Sequence, residues 1–471
     1  MTIVHKFGGT SLGRADRFDR VADIILDHHR RFENTTRAGT VVVASAMSGV
    51  TNELLAGAWA AAEGRESDAF AIKDALLARH LGVIETLIPP ESERARLCEW
   101  VEDRLHELER LYRSIGVLGE LTARGRDHVA AFGEQLAVRI LAAVLRRRGA
   151  RAEAIAATEL IVTDDQFGSA RPLPELTRER LKSRIPPLLT RGIIPVVTGF
   201  IAATEAGVTT TLGRGGSDFT AALVGAGLGA DEVWIWSDVN GILTADPNLV
   251  PAARTLRELS YAEAAELAYY GADVLHPKTI RPVIEHGIPL RIMNSFEPED
   301  AGTWIVRAPG AGRLHLPAII STTGLSMIAL GSVDDSWSLA QVAQALEGLS
   351  DVGIDVLMFS QSFSEHSLNL IVREQDQVRC LKTLRSIFDG RLDAGLYTLE
   401  VKARVATVSV VGVPGWNETG IVSHAFAALG SHGTRVIAVA QAAKEHSVSF
   451  CIPESQVAGT VPFLHKELNL G

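Results

Sequence analysis

A chain of 471 residues, 46% hydrophobic and 22% charged, is long enough for two or three cores and has the composition of a soluble globular protein. Its net charge of −10 argues against nucleic acid and against an anionic membrane surface, because both require a cationic face. Three widely spaced cysteines, Cys98, Cys380 and Cys451, make no metal spacing and fit the reduced thiols of a cytoplasmic protein.

No basic segment followed by a long apolar stretch opens the chain, so no secretory signal is expected. The Asn-X-Thr triplets at Asn34 and Asn417 are then expected to stay unmodified. Over the first ~290 residues, short β-branched runs alternate with longer Ala/Leu/Arg patterns. Strands are predicted at Ile3–Val4, Val41–Gly49, Ile193–Ile201, Glu232–Gly241 and Ile288–Asn294, and helices at 17–31, 128–148 and 221–228. Continuous apolar runs of this kind suit strands covered on both faces. The alternation predicts an α/β layer with a mostly parallel sheet, whose ligands lie beyond the carboxyl ends of the strands.

Glu297–Leu316, with two prolines and three glycines, has the composition of a linker or a short connecting hairpin. After it the chain repeats a β-loop-α-β-β unit. SQSFSEHSLNLIV at 360–372 is matched by AQAAKEHSVSFCI at 440–452, with Gln361, Glu365, His366 and Ser367 answered by Gln441, Glu445, His446 and Ser447. Two copies are too few for a solenoid, so a duplicated small domain is expected. The domains predicted are 1–296, a linker at 297–316, and repeats at 317–395 and 396–471.

Several loops carry chemistry. In KFGGTS the strand ends in Gly8 and Gly9, whose amides can approach an anion without an intervening Cβ, and Thr10 and Ser11 can cap the following helix. Lys6 adds a full charge, worth about 4 kcal/mol at ~4 Å and an effective dielectric of ~20, against ~0.3 to 1 kcal/mol for a helix terminus. With no Gly-Lys dipeptide in the chain this is not a Walker A loop, and GAGLGA at 225–230 follows a helix and does not complete a dinucleotide fingerprint.

TTTLGRGGSD at 209–218 offers Arg214 from among three glycines, suited to a carboxylate, while Asp218 could either cap the next helix or serve the site. WSDVNGILTADP at 236–247 places Ser237, Asp238 and Asp246 at a strand end, where they could satisfy a turn or hold a nucleotide. HPKT at 276–279 presents Lys278 at a helix start, a place that favours a nearby anion. Ser45 and Thr51 follow a strand end, and Glu134 stands where a helix is expected to begin near 131. Two cations with an amide cradle suit phosphoryl transfer, in which catalysis is mostly positioning and charge stabilisation.

Together KFGGTS, SGVTN at 48–52, FGE at 132–134, TTTLGRGGSD, WSDVNG and HPKT resemble aspartate kinases of the amino-acid kinase superfamily, and the C-terminal repeat resembles their paired ACT domains. The resemblance spans essentially the whole chain. It implies an amino-acid kinase fold with ferredoxin-like ACT domains, and transfer of the ATP γ-phosphoryl group to the β-carboxylate of L-aspartate with Mg²⁺ on the nucleotide. By the same resemblance Lys6 and Asp218 are catalytic, and Gly8, Gly9, Thr10, Ser11, Ser237, Asp238, Asp246 and Lys278 hold the nucleotide and its phosphates. Ser45, Thr51, Glu134 and Arg214 hold aspartate, Glu134 on its ammonium and Arg214 on its α-carboxylate.

Gln361 and Gln441 resemble effector-binding glutamines, with threonine or lysine as the effector, and a homodimer or higher homo-oligomer is expected. The chain departs from the family at Leu243, usually aromatic, and at Asn248, usually basic. Two alternatives are a kinase for another small carboxylic acid and an amino-acid sensor with a degenerate kinase domain.

Overall fold

A computed structural model describes the chain except residues 33–38, 92, 270–274, 276, 311–316, 334–336, 363–365, 412–420 and 442–446. Asn34, Asn417, His276, the end of the predicted linker and parts of both repeat motifs, Glu365, Glu445 and His446 among them, lie outside the described residues. The chain divides into two compact units, one comprising Met1–Ile242, Thr255–Ala268 and Asp273–Ala311, the other Leu243–Arg254, Tyr269–Ala272 and Gly312–Gly471.

The strands of the first unit are β1 (Thr2–Phe7), β2 (Gly39–Ala44), β3 (Ala152–Ile155), β4 (Val162–Thr163), β5 (Ile194–Thr198), β6 (Ile201–Thr204), β7 (Thr209–Thr211), β8 (Glu232–Ser237), β9 (Glu258–Ser260), β10 (Leu290–Asn294) and β11 (Thr303–Val306). Eight of them form one sheet in the order β3-β5-β2-β1-β8-β10-β11-β9. The run from β3 to β10 is parallel, and β11 turns antiparallel to β10. β2 and β5 are buried at every position, which is why they read as unbroken apolar runs. β1 lies at the centre, Lys6 pairing with Val43 on one side and Ile235 on the other. A smaller sheet, β4-β6-β7, leads into the Gly213–Gly216 loop.

The helix that carries Glu134 runs Ala123–Arg147, with the Thr122 hydroxyl accepting from Gly125 N–H as its cap. It begins two turns before the expected start, because the cap lies upstream at Thr122 and the polar RGRD segment Arg124–Asp127 is itself helical. This helix is long and apolar enough to cross a membrane, yet 83% of its most apolar window is buried inside the protein.

In the second unit six strands, β12 (Ala318–Ser332), β13 (Met358–Ser362), β14 (Ser367–Arg373), β15 (Tyr397–Val411), β16 (Ala438–Gln441) and β17 (Ser447–Pro453), form one antiparallel sheet ordered β13-β14-β12-β15-β17-β16. The repeats are interleaved, not consecutive. The first part of β12, Ala318–Thr322, pairs with Thr407–Val411, and Ile319 packs with Val408, Val410 and Phe450 in the core of the second copy. Tyr397 and Leu399 instead complete the core of the first, with Ile328, Leu370 and Phe388.

Each long strand thus serves both copies, one with either half. Within 297–316 lies β11, whose Thr303 and Trp304 pair antiparallel with Ile292 and Arg291, as in the hairpin reading of that stretch.

Candidate active site

At the carboxyl ends of β1, β2 and β5 the first unit holds a cavity of about 490 Å³. It is lined by Lys6, Gly8, Gly9, Thr10, Ser45, Thr51, Glu134, Arg214 and Asp218 of the expected residues, and also by Ser48, Asn52, Phe200 and Ser217. The strand alternation of β1 sends Lys6 and His5 to opposite faces. His5 goes to an aromatic cluster, accepting from Trp236 Nε1–H at 3.2 Å, where burial holds its pKa well below the usual value.

Lys6, 9% exposed, forms an ion pair with Asp218. The helix bearing Asp218, Gly216–Leu228, starts from Gly215 in a left-handed conformation and has no side-chain cap. Of the two sequence readings, Asp218 is thus a partner of Lys6 and not a capping residue. A Cβ at Gly9 would come to 3.0 Å from the Ala46 carbonyl oxygen, so this glycine is demanded by close backbone approach. At Gly8 a Cβ would stand 3.6 Å from Lys6 Nζ, in the space before the ammonium. Gly213 and Gly215 both have positive φ, which places Arg214 on a turn that few other residues could make.

Glu134 is 3% exposed. Its Oε1 accepts from the Ala46 N–H at 3.1 Å, while Oε2 is buried without a hydrogen-bond partner. Burial pushes this carboxyl up from its ordinary 4.5 to about 8. A buried carboxylate oxygen with no donor is a place for a ligand cation, and an ammonium would fill it.

The remaining expected residues are placed differently. Ser11 is buried, its hydroxyl bonded to Ser295 Oγ at 2.8 Å, and does not line the cavity. Ser237 and Asp238 sit at the end of β8, where Gly8 N–H reaches the Trp236 carbonyl at 3.4 Å. Lys278 donates to Ser169 Oγ at 2.9 Å, and Ser169 abuts Gly213.

Asp246 belongs to the second unit, where its Oδ1 accepts from the N–H and side-chain amide of Asn248. In that unit Gln361 is partly buried on β13 with an unpartnered Nε2, and Gln441 is exposed at the end of β16. Arg17, which the sequence reading missed, holds the Thr10 carbonyl and stacks on Phe296. Phe200 was missed as well: its positive φ of 65° brings it to the cavity, and nothing in a phenylalanine codon position signals that.

Among the described residues no group of three or more His, Cys, Asp or Glu could cage a metal ion.

The amino acid kinase family model matches residues 1–294, and an ACT domain model matches 408–468. Aspartokinase 1, chloroplastic, of Arabidopsis thaliana is 33% identical over 99% of this chain and 80% of its own length. A bifunctional aspartokinase/homoserine dehydrogenase of Zea mays is 32% identical over the whole of this chain, which spans 50% of that protein. Among solved structures, E. coli aspartokinase III in complex with aspartate and ADP superposes with a TM-score of 0.83, at 29% identity and full coverage of both chains. The same enzyme in complex with lysine and aspartate gives 0.77 at 30% identity, with 99% of each chain covered. With its first 294 residues fitting the kinase model and a third of its positions shared with an aspartokinase along nearly the whole chain, this protein belongs to the amino acid kinase family, in its aspartokinase branch.

Proposed function

We propose that the chain is an ATP-dependent kinase that phosphorylates the β-carboxylate of L-aspartate to 4-phospho-L-aspartate. The observation that carries the choice of acceptor is Glu134: a buried carboxyl with one oxygen unpartnered lines the same cavity as Arg214. An acid below and a guanidinium on the loop anticipate an ammonium and a carboxylate on one small molecule. A plain dicarboxylic acid would leave Glu134 unanswered, which disfavours a kinase for another carboxylic acid. The Lys6–Asp218 pair disfavours a degenerate sensor, because an idle site has no need to keep a buried ammonium aimed at its floor.

In this reading a β-carboxylate oxygen attacks the γ-phosphorus in line, the bond to the β,γ-bridging oxygen breaks, and ADP leaves. Lys6 neutralises charge on the transferring group, and Asp218 holds Lys6 extended toward it. The Gly8 and Gly9 turn leaves room for phosphate oxygens, and Ser45 and Thr51 offer hydroxyls to aspartate. Ser237, Asp238 and Lys278 serve the nucleotide. Mg²⁺, bound with ATP, would screen the charge of its phosphates.

Regulation by a small amino acid through the C-terminal repeats follows the same family logic. Lysine is the first candidate and threonine the second, with Gln361 offering an unpartnered buried donor. Homodimerisation through the repeats and a cytoplasmic location complete the reading; the latter agrees with three free thiols.

The test is ADP release with ATP and Mg²⁺ across a panel of amino and dicarboxylic acids, with hydroxylamine trapping the acyl phosphate. Aspartate-dependent hydroxamate is expected. Its absence, or equal rates with succinate, refutes the assignment. The same assay with lysine and with threonine identifies the effector, and sedimentation with and without them gives the oligomeric state.

A further inference from the structure

Asp127 lies outside the cavity, one turn into the helix Ala123–Arg147, and is 1% exposed. Its Oδ2 accepts from the Gly168 N–H at 2.8 Å and from the Thr211 N–H at 2.9 Å, and its Oδ1 accepts from the Thr211 hydroxyl at 2.9 Å. One buried carboxylate thereby holds two segments distant from it and from each other in sequence. None of the three bonds serves its own helix.

One segment leads within three residues to a site group, and the other to the hydrogen-bond partner of one. Thr211 closes β7, and Arg214 follows on the Gly213–Gly216 loop. Gly168 precedes Ser169, whose hydroxyl receives Lys278 at 2.9 Å. The two segments also meet directly: the Ala170 N–H donates to the Thr211 carbonyl at 2.9 Å, and a Cβ on Gly213 would lie 3.2 Å from both the Gly168 carbonyl oxygen and Ser169 Oγ. Gly168 itself has a φ of 89°, with the Arg126 guanidinium where a side chain would go, so the neighbour of Asp127 shapes the same turn.

We infer that Asp127 is a positioning residue for the reaction, a clasp that sets the Arg214 loop and the Ser169–Lys278 contact in fixed relation, so that acceptor and nucleotide are held in register. It touches neither substrate and acts through Thr211 and Gly168. Three charge-assisted bonds give it that hold, the two from Thr211 buried and the one from Gly168 partly so. An asparagine in its place can keep its oxygen on both backbone N–H groups, but those bonds then lose the charge of the carboxylate, and the Thr211 hydroxyl must turn from donating to accepting. The inference rests on the aspartate-kinase reading for the identity of the substrates, not for the geometry of the clasp.

The test uses Asp127→Asn, Thr211→Val and Thr211→Ser in the full chain. Thr211→Val keeps the shape and the backbone bond and deletes only the hydroxyl, whereas Thr211→Ser keeps the hydroxyl and deletes a methyl. Because the groups that move are binding groups, Asp127→Asn should raise the KM for aspartate about tenfold or more and that for ATP in the same direction, with kcat changed less than about threefold. Thr211→Val should show the same split more weakly, and Thr211→Ser should restore normal KM values even where it lowers the melting temperature.

KM values that stay normal in both Asp127→Asn and Thr211→Val, with only stability lost, overturn the inference. If Asp127→Asn does not fold, the Thr211 pair decides alone. A wild-type enzyme without aspartate-dependent ADP release refutes the activity reading only. The clasp is then judged by amide exchange, where unaltered protection of Gly168 and Thr211 in Asp127→Asn overturns it and selective loss at those two amides upholds it.

Discussion

Replacing Glu134 by glutamine should lower activity and raise stability, with a pH dependence that identifies the cause. In the folded chain the carboxyl titrates near pH 8, against 4.5 when unfolded, and burial is the main reason. Between those values the unfolded chain releases its proton while the folded chain keeps it, so folding stability falls as pH rises. The full loss, complete above pH 8, has a ceiling of about 5 kcal/mol at 1.36 kcal/mol per pH step, less whatever relaxation of the site recovers.

Glu134→Gln has no such proton to lose, and its amide oxygen can still accept from the Ala46 N–H. Its advantage over the parent in denaturant melts without substrates should be near zero at pH 4.5 and grow toward pH 8. The price is substrate affinity: deleting a charged hydrogen bond to the ammonium, worth about 1.5 to 3 kcal/mol, should raise the aspartate KM by roughly 10- to 150-fold. In the parent the same titration makes aspartate binding strengthen as pH rises toward 8. Parallel stability curves for the two proteins across this range, or an unchanged KM, would refute the assignment of both the buried carboxyl and its role.

Lys6→Ala should lower turnover by about 10² to 10³, the usual cost of a lost preorganised donor, with an unchanged circular dichroism spectrum; near-normal turnover removes Lys6 from the chemistry. The adjacent glycines should part ways. Gly9→Ala sets a methyl against the Ala46 carbonyl and should cost about 1 to 3 kcal/mol in a melt. Gly8→Ala has ordinary clearance and a φ of −76° that alanine accepts, so it should melt normally while losing turnover, because the methyl stands before Lys6. Gln361→Ala should shift the inhibition curve for lysine, or for threonine, to higher concentration by about tenfold without altering the rate in its absence, the loss of one hydrogen bond to a charged group; an unshifted curve for both excludes Gln361 from the effector site.

Sequence periodicity made the parallel sheet legible, because strands buried on both faces leave unbroken apolar runs such as Val41–Ala44 and Ile194–Val197. The cavity was legible where composition is extreme: two glycines after a lysine, three glycines around an arginine. Glu134 shows where that reading stops. A glutamate near an expected helix start is ordinary, and only the true cap at Thr122 reveals it as a residue three turns inside a buried helix. Asp127 was invisible for a related reason. Its partners are a backbone amide 41 residues away and a threonine 84 away, and no local pattern encodes contacts of that span. The interleaved repeats were missed because a repeat announces its copies by similarity, whereas Ala318–Thr322 belongs to the second copy by pairing alone.

The segment WSDVNGILTADP carries this furthest. Read along the chain it is one motif, a strand end and its turn. In the structure Trp236–Ile242 belongs to the first unit and Leu243–Pro247 to the second. The division follows from what each half buries. Ile242 N–H bonds the Thr303 hydroxyl, whereas Ala245 and Val250 enter a core with Val408, Phe450 and Leu470, and Thr244 bonds the His465 ring and the Ile319 N–H. Leu243 and Asn248, the two departures from the family pattern, both fall in the second half. The place of Asp246 is therefore set by the core of the second repeat, through the Asp246–Asn248 turn, and not by the strand that carries Ser237 and Asp238.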